Sequence, residues 1–262
     1  MDDLSFDLDD LTSLAPEIDL DDMLLDLDTG EDIVDAKGLR RDAMMLRRLE
    51  KRRFINAQKL QGLEQIIPTL PPPDADLFII TTGLGAEVGS HAISKSPDLG
   101  TFIPYLVRQL GDKDCTAYIS TWTCNHFHSL AMLELLDAGK LKSLTYFSDP
   151  YFMQRSPAIA TPLIEGLKAR GQRVKLWKNH TKLIAVSNAD QTRTCVIQSS
   201  ANLSAQPRAE QLHLTTSPDV YQWITHEFFE AIAQMPDYAP KYKRPRKTNT
   251  PKVPHAAQEH AP

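Results

Sequence analysis

Across 262 residues the chain carries 29 Lys and Arg against 34 Asp and Glu, a formal net charge of -5, and 42% of its residues are hydrophobic. That is enough chain for one sizeable core with accessory tails, and no apolar run reaches the roughly 18 to 20 residues that a membrane-spanning helix needs. The three cysteines, Cys115, Cys124 and Cys195, form no C-x-x-C pair and are odd in number, which argues against a disulfide framework. Together with an acidic N-terminus unlike a secretory signal, this leads us to expect reduced thiols and a cytoplasmic protein.

The net charge conceals a split. Fourteen of the 34 acidic residues and none of the 29 basic ones fall in 1–35, so the rest of the chain holds 29 basic residues against 20 acidic. The head alternates aspartate with leucine, as in Phe6-Asp7-Leu8-Asp9-Asp10-Leu11. Like charges this dense oppose compaction, so 1–35 is expected to be disordered alone. A solubilising tail, a docking motif for an unidentified protein partner, and an internal mimic of nucleic acid are the readings open for it.

Over 36–70 the apolar residues Leu39, Ala43, Leu46, Leu49, Leu60, Leu63 and Ile67 recur at helical spacing. Beside them stand Arg40, Arg41, Arg47, Arg48, Lys51, Arg52 and Arg53, with only Asp42 and Glu50 to offset them. A basic amphipathic helix that presents guanidinium groups to nucleic acid is expected, against the plainer reading of a solvated face. Pro68 and Pro71-Pro72-Pro73 then break the chain. The segment 71–112 reads as linker and start of the core. It holds a strand over 77–82 that runs into Gly83-Leu84-Gly85-Ala86-Glu87-Val88-Gly89, where the third glycine comes one residue late for a dinucleotide-binding turn and no suitable βαβ unit follows. A tight turn or packing loop is the better account.

The core is expected over 113–238. It begins with a strand at 115–122, a helix at 130–136, a strand at 141–147 and a helix at 159–169 closed by Gly171. Two extended runs follow, 173–186 and 193–200, joined by the polar turn Ser187-Asn188-Ala189-Asp190-Gln191, then a strand at 212–215 and a helix at 220–232. Alternating strands and helices imply an α/β domain whose mixed sheet is largely buried and flanked by helices. Cys124, His126 and His128 sit at alternate positions near a helix start, a spacing that suits capping and packing better than tetrahedral metal ligation. The closing segment 239–262 reads as a disordered basic tail in which Lys243, Arg244 and Arg246 add a sequence-independent grip on phosphates.

Chemistry concentrates at His180-Thr181-Lys182 and Ser200-Ala201-Asn202. On a strand, side chains two apart face the same way about 6.5 to 7 Å apart, so His180 and Lys182 are expected to flank one phosphate. Ser200 and Asn202 follow the end of the adjacent run, where a hydroxyl and a carboxamide reach the same space.

At these residues the chain resembles the phospholipase D superfamily, whose signature is H-x-K-x4-D followed by G-S-x-N. The carry-over is His180, Lys182, Ser200 and Asn202. The resemblance implies a phospholipase D-like fold and a histidine that attacks phosphorus to form a phosphohistidine. It further implies lysine and asparagine on the non-bridging oxygens, with no metal or other cofactor, and Glu210 as the acidic residue that orients the imidazole. Ser187 stands where the family has its aspartate, with Asp190 three residues further on, and Ser199 replaces the usual glycine. Family enzymes use two such motifs, whereas this chain has one H-x-K, so a homodimer that supplies the second histidine is the direct consequence. The basic segments favour DNA, or secondarily RNA, as substrate. A catalytically silent nucleic-acid-binding or regulatory protein and a phospholipid-cleaving enzyme are the alternatives.

Overall fold

The structure, a computed structural model, describes residues 57–82, 85–88, 91–93, 97–204 and 210–236. Helix α1 covers 57–66 and buries Leu60 and Leu63, with Ile67 one turn on, which are positions i, i+3 and i+7 of one helical face. Strands β1 (Asp76–Thr82), β2 (Gly85–Val88) and β3 (His91–Ile93) pair antiparallel in succession, with Thr82 opposite Gly85. The glycine-rich stretch therefore joins two strands and does not open a helix, as a dinucleotide-binding turn would. A single 3-10 turn, Leu99–Thr101, leads into α2 (Phe102–Gln109).

Two parallel crossovers come next. Strand β4 (Cys115–Thr121) passes through α3 (His126–Asp137) to β5 (Leu141–Ser148), and β5 passes through α4 (Pro150–Arg155) and α5 (Pro157–Ala169) to β6 (Arg173–Leu176). Gly171, at φ +69°, supplies the left-handed residue that ends α5. Strands β7 (Leu183–Ser187), β8 (Thr194–Ser199) and β9 (Glu210–Thr215) form an antiparallel meander. The chain then runs through α6 (Pro218–Gln222), a π-helical stretch Trp223–Glu230 and α7 (Ala231–Gln234).

Among the described residues these strands form one nine-stranded mixed sheet in the order β3-β2-β1-β9-β8-β7-β4-β5-β6. The segment 71–112 therefore contributes three strands and a helix to this sheet and its core. The expected extended run over 173–186 is in fact two strands. Strand β6 lies at the sheet's edge while β7 pairs with β4 and β8, so the chain must cross the ends of β5 and β4 to get from one to the other. At about 4.8 Å per strand spacing that is roughly 14 Å, within reach of the residues 177–182. The physical cause is pairing, which sequence alternation alone does not encode.

Alternation sorts the two faces. Ala117, Ile119, Leu144, Tyr146, Ile184, Val186, Cys195, Ile197, Leu212 and Leu214 pack in a core with α1, α2, α3 and α5. On the other face Phe147, Leu183, Ala185 and Val196 pack under Tyr221, Ile224 and Phe229. That second cover does not extend over all of the sheet. Phe78 on β1 is 72% exposed and Ile80 53%, Phe78 stacking on His213 of β9 at 4.6 Å, so the largely buried sheet is open here.

A buried polar cluster centred on Asp98 links the helices of the first face. His128 of α3 lies 2.7 Å from the Asp98 carboxylate, which also accepts from Lys59 of α1 (3.2 Å) and from the amide and hydroxyl of Thr101. Gly100 is required beside it, since a Cβ there would sit 2.3 Å from the His128 ring.

Candidate functional site

The pairing directions decide where polar side chains gather. Strands β4, β5 and β6 are parallel, β7 is antiparallel to β4, and β8 and β9 alternate from it. The C-terminal ends of β4, β5, β6 and β8 and the N-terminal ends of β7 and β9 consequently lie along one sheet edge. His180, Lys182, Ser200, Asn202 and Glu210 all come from chain at or just beyond these ends.

The crossing segment 177–182 is fixed by a residue that sequence reading missed. Asn179 is buried; its amide donates to Asp149 Oδ2 (3.1 Å), and its side-chain NH2 donates to Ser120 Oγ (2.7 Å). Its side-chain oxygen accepts from the amide and hydroxyl of Thr181 at 2.9 and 2.7 Å. This knot ties the crossing to the ends of β4 and β5 and sets the backbone on either side of His180. His180 is exposed and Lys182 buried. The strand argument for their approach does not apply, since both precede β7, yet the two side chains meet. Lys182 Nζ donates to the His180 carbonyl (2.6 Å) and lies 3.0 Å from Nδ1 and 3.3 Å from Nε2 of the ring. One ammonium cannot align with both ring nitrogens, so it rests against the imidazole as a whole. Burial pushes the Lys182 ammonium below the usual lysine range, and the charge of nearby Glu210 opposes that shift.

The second half of the site hangs from β8. The Ser199 amide donates to the Lys182 carbonyl (3.0 Å), and Ser199 Oγ accepts from the Ala201 amide (2.9 Å), a turn-forming use of the hydroxyl where the signature has glycine. Ser200 Oγ donates to Glu210 Oε2 and accepts from the Gln211 amide (3.1 Å). Glu210 thus meets Ser200 by hydrogen bond and Lys182 by charge, while the His180 ring meets Lys182. Past Ser200, Leu203 bonds to Thr121 Oγ1 and to the Asn125 amide, which holds Asn202 beside the end of β4. The side-chain oxygen of Asn202 is buried with no hydrogen-bond partner among the described residues.

Ser187 lies at the opposite end of β7, fully buried, with Tyr221 OH at 3.0 Å from its hydroxyl. Asp190 accepts from the amide and hydroxyl of Thr192 in the β7–β8 turn, and those bonds hold its carboxyl below the usual range. Neither residue belongs to the site edge.

Aromatic residues that sequence reading also missed flank His180. The Trp122 ring, just past β4, lies 5.6 Å from the His180 ring. Tyr151 of α4 stacks on Trp122 at 5.7 Å with planes only 6° apart, and the Arg155 guanidinium sits 5.8 Å from the Trp122 ring centre. Spacing could not reveal this group, because Trp122, the α4 pair Tyr151 and Arg155, and His180 meet only through the sheet order.

Arg40, Arg41, Arg47, Arg48, Lys51, Arg52, Arg53, Lys243, Arg244 and Arg246 lie outside the described residues, as does the acidic head. At the start of α3 the cap is Asn125, whose side chain accepts from the His128 amide (2.8 Å); Cys124 is buried and His128 packs on Asp98. Among the described residues no three His, Cys, Asp or Glu are grouped to hold a metal ion, and no helix is long and apolar enough to cross a membrane.

No family model and no curated protein matches the chain. Among solved structures it is similar to Nuc, a phospholipase D family member from Salmonella typhimurium, with a TM-score of 0.40 and 14% identity over 52% of this chain and 91% of that one. It is also similar to the polyphosphate kinase from Porphyromonas gingivalis, with a TM-score of 0.38 and 16% identity over 52% of this chain and 25% of the kinase. A third likeness is to TrmBL2, an archaeal chromatin protein whose structure shows a mode of DNA binding, with a TM-score of 0.37 and 10% identity over 74% and 64%.

Proposed function

We propose that the chain is a metal-independent phosphodiesterase of the phospholipase D type, a nuclease that cleaves DNA through a phosphohistidine on His180. The observation that carries this reading is the gathering of His180, Lys182, Ser200, Asn202 and Glu210 at one sheet edge, with the Lys182 ammonium against the His180 ring. An imidazole nitrogen attacks phosphorus, the bond to the leaving oxygen breaks, and that oxygen takes a proton. Lys182 and Asn202 hold the non-bridging oxygens, where negative charge is concentrated during attack. Ser200, held by Glu210 and the Gln211 amide, keeps the β8–β9 side of the site in place.

The leaving oxygen's proton comes from His180 of the partner subunit in a two-fold homodimer. Water then attacks the phosphohistidine, gives its proton to that second imidazole, and frees the histidine together with a phosphate monoester. The basic segments outside the described residues supply the preference for nucleic acid.

A second reading, phosphate binding without turnover, is favoured by one observation: the Glu210 carboxylate is taken by Ser200, and the His180 ring faces an ammonium. Full-length protein incubated with labelled DNA, RNA and phospholipid vesicles in excess chelator separates these readings. Turnover of DNA is expected in wild type and not in His180→Ala, and mixing the two should give heterodimers with little or no activity. Binding without turnover would establish the second reading, turnover of phospholipid alone would replace the substrate, and a fully active monomer would remove the shared site.

A further inference from the structure

We propose that Trp122, Tyr151 and Arg155 form a base-stacking platform beside the phosphate site, so that the preferred ligand is a single-stranded nucleic acid with an unstacked base next to the bound phosphate. This inference rests on the phosphodiester reading of His180 and Lys182 and extends it to the form of the substrate.

Tyr151 is a large aromatic residue left 45% exposed. It is not loosely placed. Trp122 backs it in a nearly parallel stack, and Arg155 approaches the Trp122 ring with its positive charge. The Tyr151 amide donates to Asp149 Oδ1 (2.7 Å), while the other oxygen of the same carboxylate accepts from the Asn179 amide. One carboxylate therefore fixes both the tyrosine's backbone and the crossing that carries His180. The ring-to-ring steps from His180 to Trp122 and on to Tyr151 are 5.6 and 5.7 Å. A phosphate at His180 therefore lies beside this row of rings, where a neighbouring base can meet the platform.

Aromatic faces of this kind bind any base, because every base has a π-face, and the energy comes from stacking and from the guanidinium. In a duplex that face is already covered by neighbouring base pairs, so engaging it requires unstacking. Single strands and frayed ends do not carry that cost. An acyl chain has no π-face to stack, so the platform separates nucleic acid from lipid among phosphodiesters.

The test compares binding of a fluorescent thymidine oligonucleotide with an abasic oligonucleotide of identical length and phosphate count, by stopped-flow anisotropy on the full-length protein read before any strand is cleaved. Phosphate contacts from the basic segments are the same for both, so the ratio of affinities isolates the bases. Wild type is expected to favour the thymidine strand by about 10-fold, the order of one stacked base. Tyr151→Ala should bring that ratio to near one, Tyr151→Phe should preserve it, and Lys182→Ala should weaken both ligands together. Tyr151 is exposed and lies outside the core, so its variants retain the fold. Equal affinities in wild type overturn the platform, and if Lys182→Ala still weakens both ligands the phosphate reading survives. A base-dependent ratio that persists while Lys182→Ala changes neither affinity supports the platform and overturns the phosphate reading. A ratio unchanged in Tyr151→Ala assigns base contact elsewhere and overturns the proposal.

Discussion

Replacing His180 by alanine is expected to lower turnover by about 10³-fold or more, since the bond-forming nitrogen is removed. Lys182→Ala should lower kcat by about 10² to 10³-fold, the range for losing one preorganised charge from a developing oxyanion. The lysine result is the more discriminating. Burial lowers the affinity of Lys182 for its proton, with Glu210 opposing, and the clamp works only when protonated. The Lys182 ammonium should therefore lose its proton at a pH below the ~10.4 of an exposed lysine, and Glu210→Gln should lower that pH further. An NMR titration of the Lys182 side chain in wild type and Glu210→Gln checks the sign. A Lys182 titration left unmoved by Glu210→Gln would remove Glu210 from the support of this charge.

The largest effect on stability is expected away from the site. Burial alone would raise the Asp98 pKa, but His128, Lys59 and Thr101 together outweigh it and hold the carboxyl well below the ordinary range. A depressed carboxylate contributes stability that is fully present above its unfolded value of about 3.9 and is lost as pH falls toward the folded value. Acid unfolding should accordingly begin below about pH 4. Asp98→Asn leaves His128 and Lys59 without their carboxylate and should cost about 3 to 5 kcal/mol, the usual range for a broken buried pair. Urea unfolding at pH 7 and at pH 3 checks both statements. The wild-type advantage over Asp98→Asn should shrink at the lower pH, and an advantage independent of pH would contradict the electrostatic account.

Much of the core was legible because its strands and helices carry their own local signals. Strands β4 and β5 and helix α5 are short apolar runs with clear ends, and Gly171 marks the end of α5 by its backbone. Helix α2 was not legible. It is only eight residues long, about two turns and too few to establish a helical period, and Pro104 within it reads as a breaker. The crossing at 177–182 was hidden for a different reason: a six-residue step over two strands depends on which strands pair, and Asn179 gains its meaning only from Ser120 and Asp149. The candidate site divides the same way. His180, Lys182, Ser200 and Asn202 are close in sequence and carry a recognisable spacing, whereas Trp122 meets Tyr151 and Arg155 of α4 only through the sheet order. Glu210 shows both sides. The resemblance offers it as the acid that orients the imidazole, whereas in the fold it opens β9 and its hydrogen bond goes to Ser200.

Trapping the covalent intermediate tests the central claim most directly. Full-length protein is mixed with 32P-labelled single-stranded DNA in excess chelator, quenched within the first turnover, and the labelled residue mapped. Label is expected on His180 through an acid-labile, base-stable bond, and none on His180→Ala. Chelator-sensitive cleavage that persists in His180→Ala would contradict it.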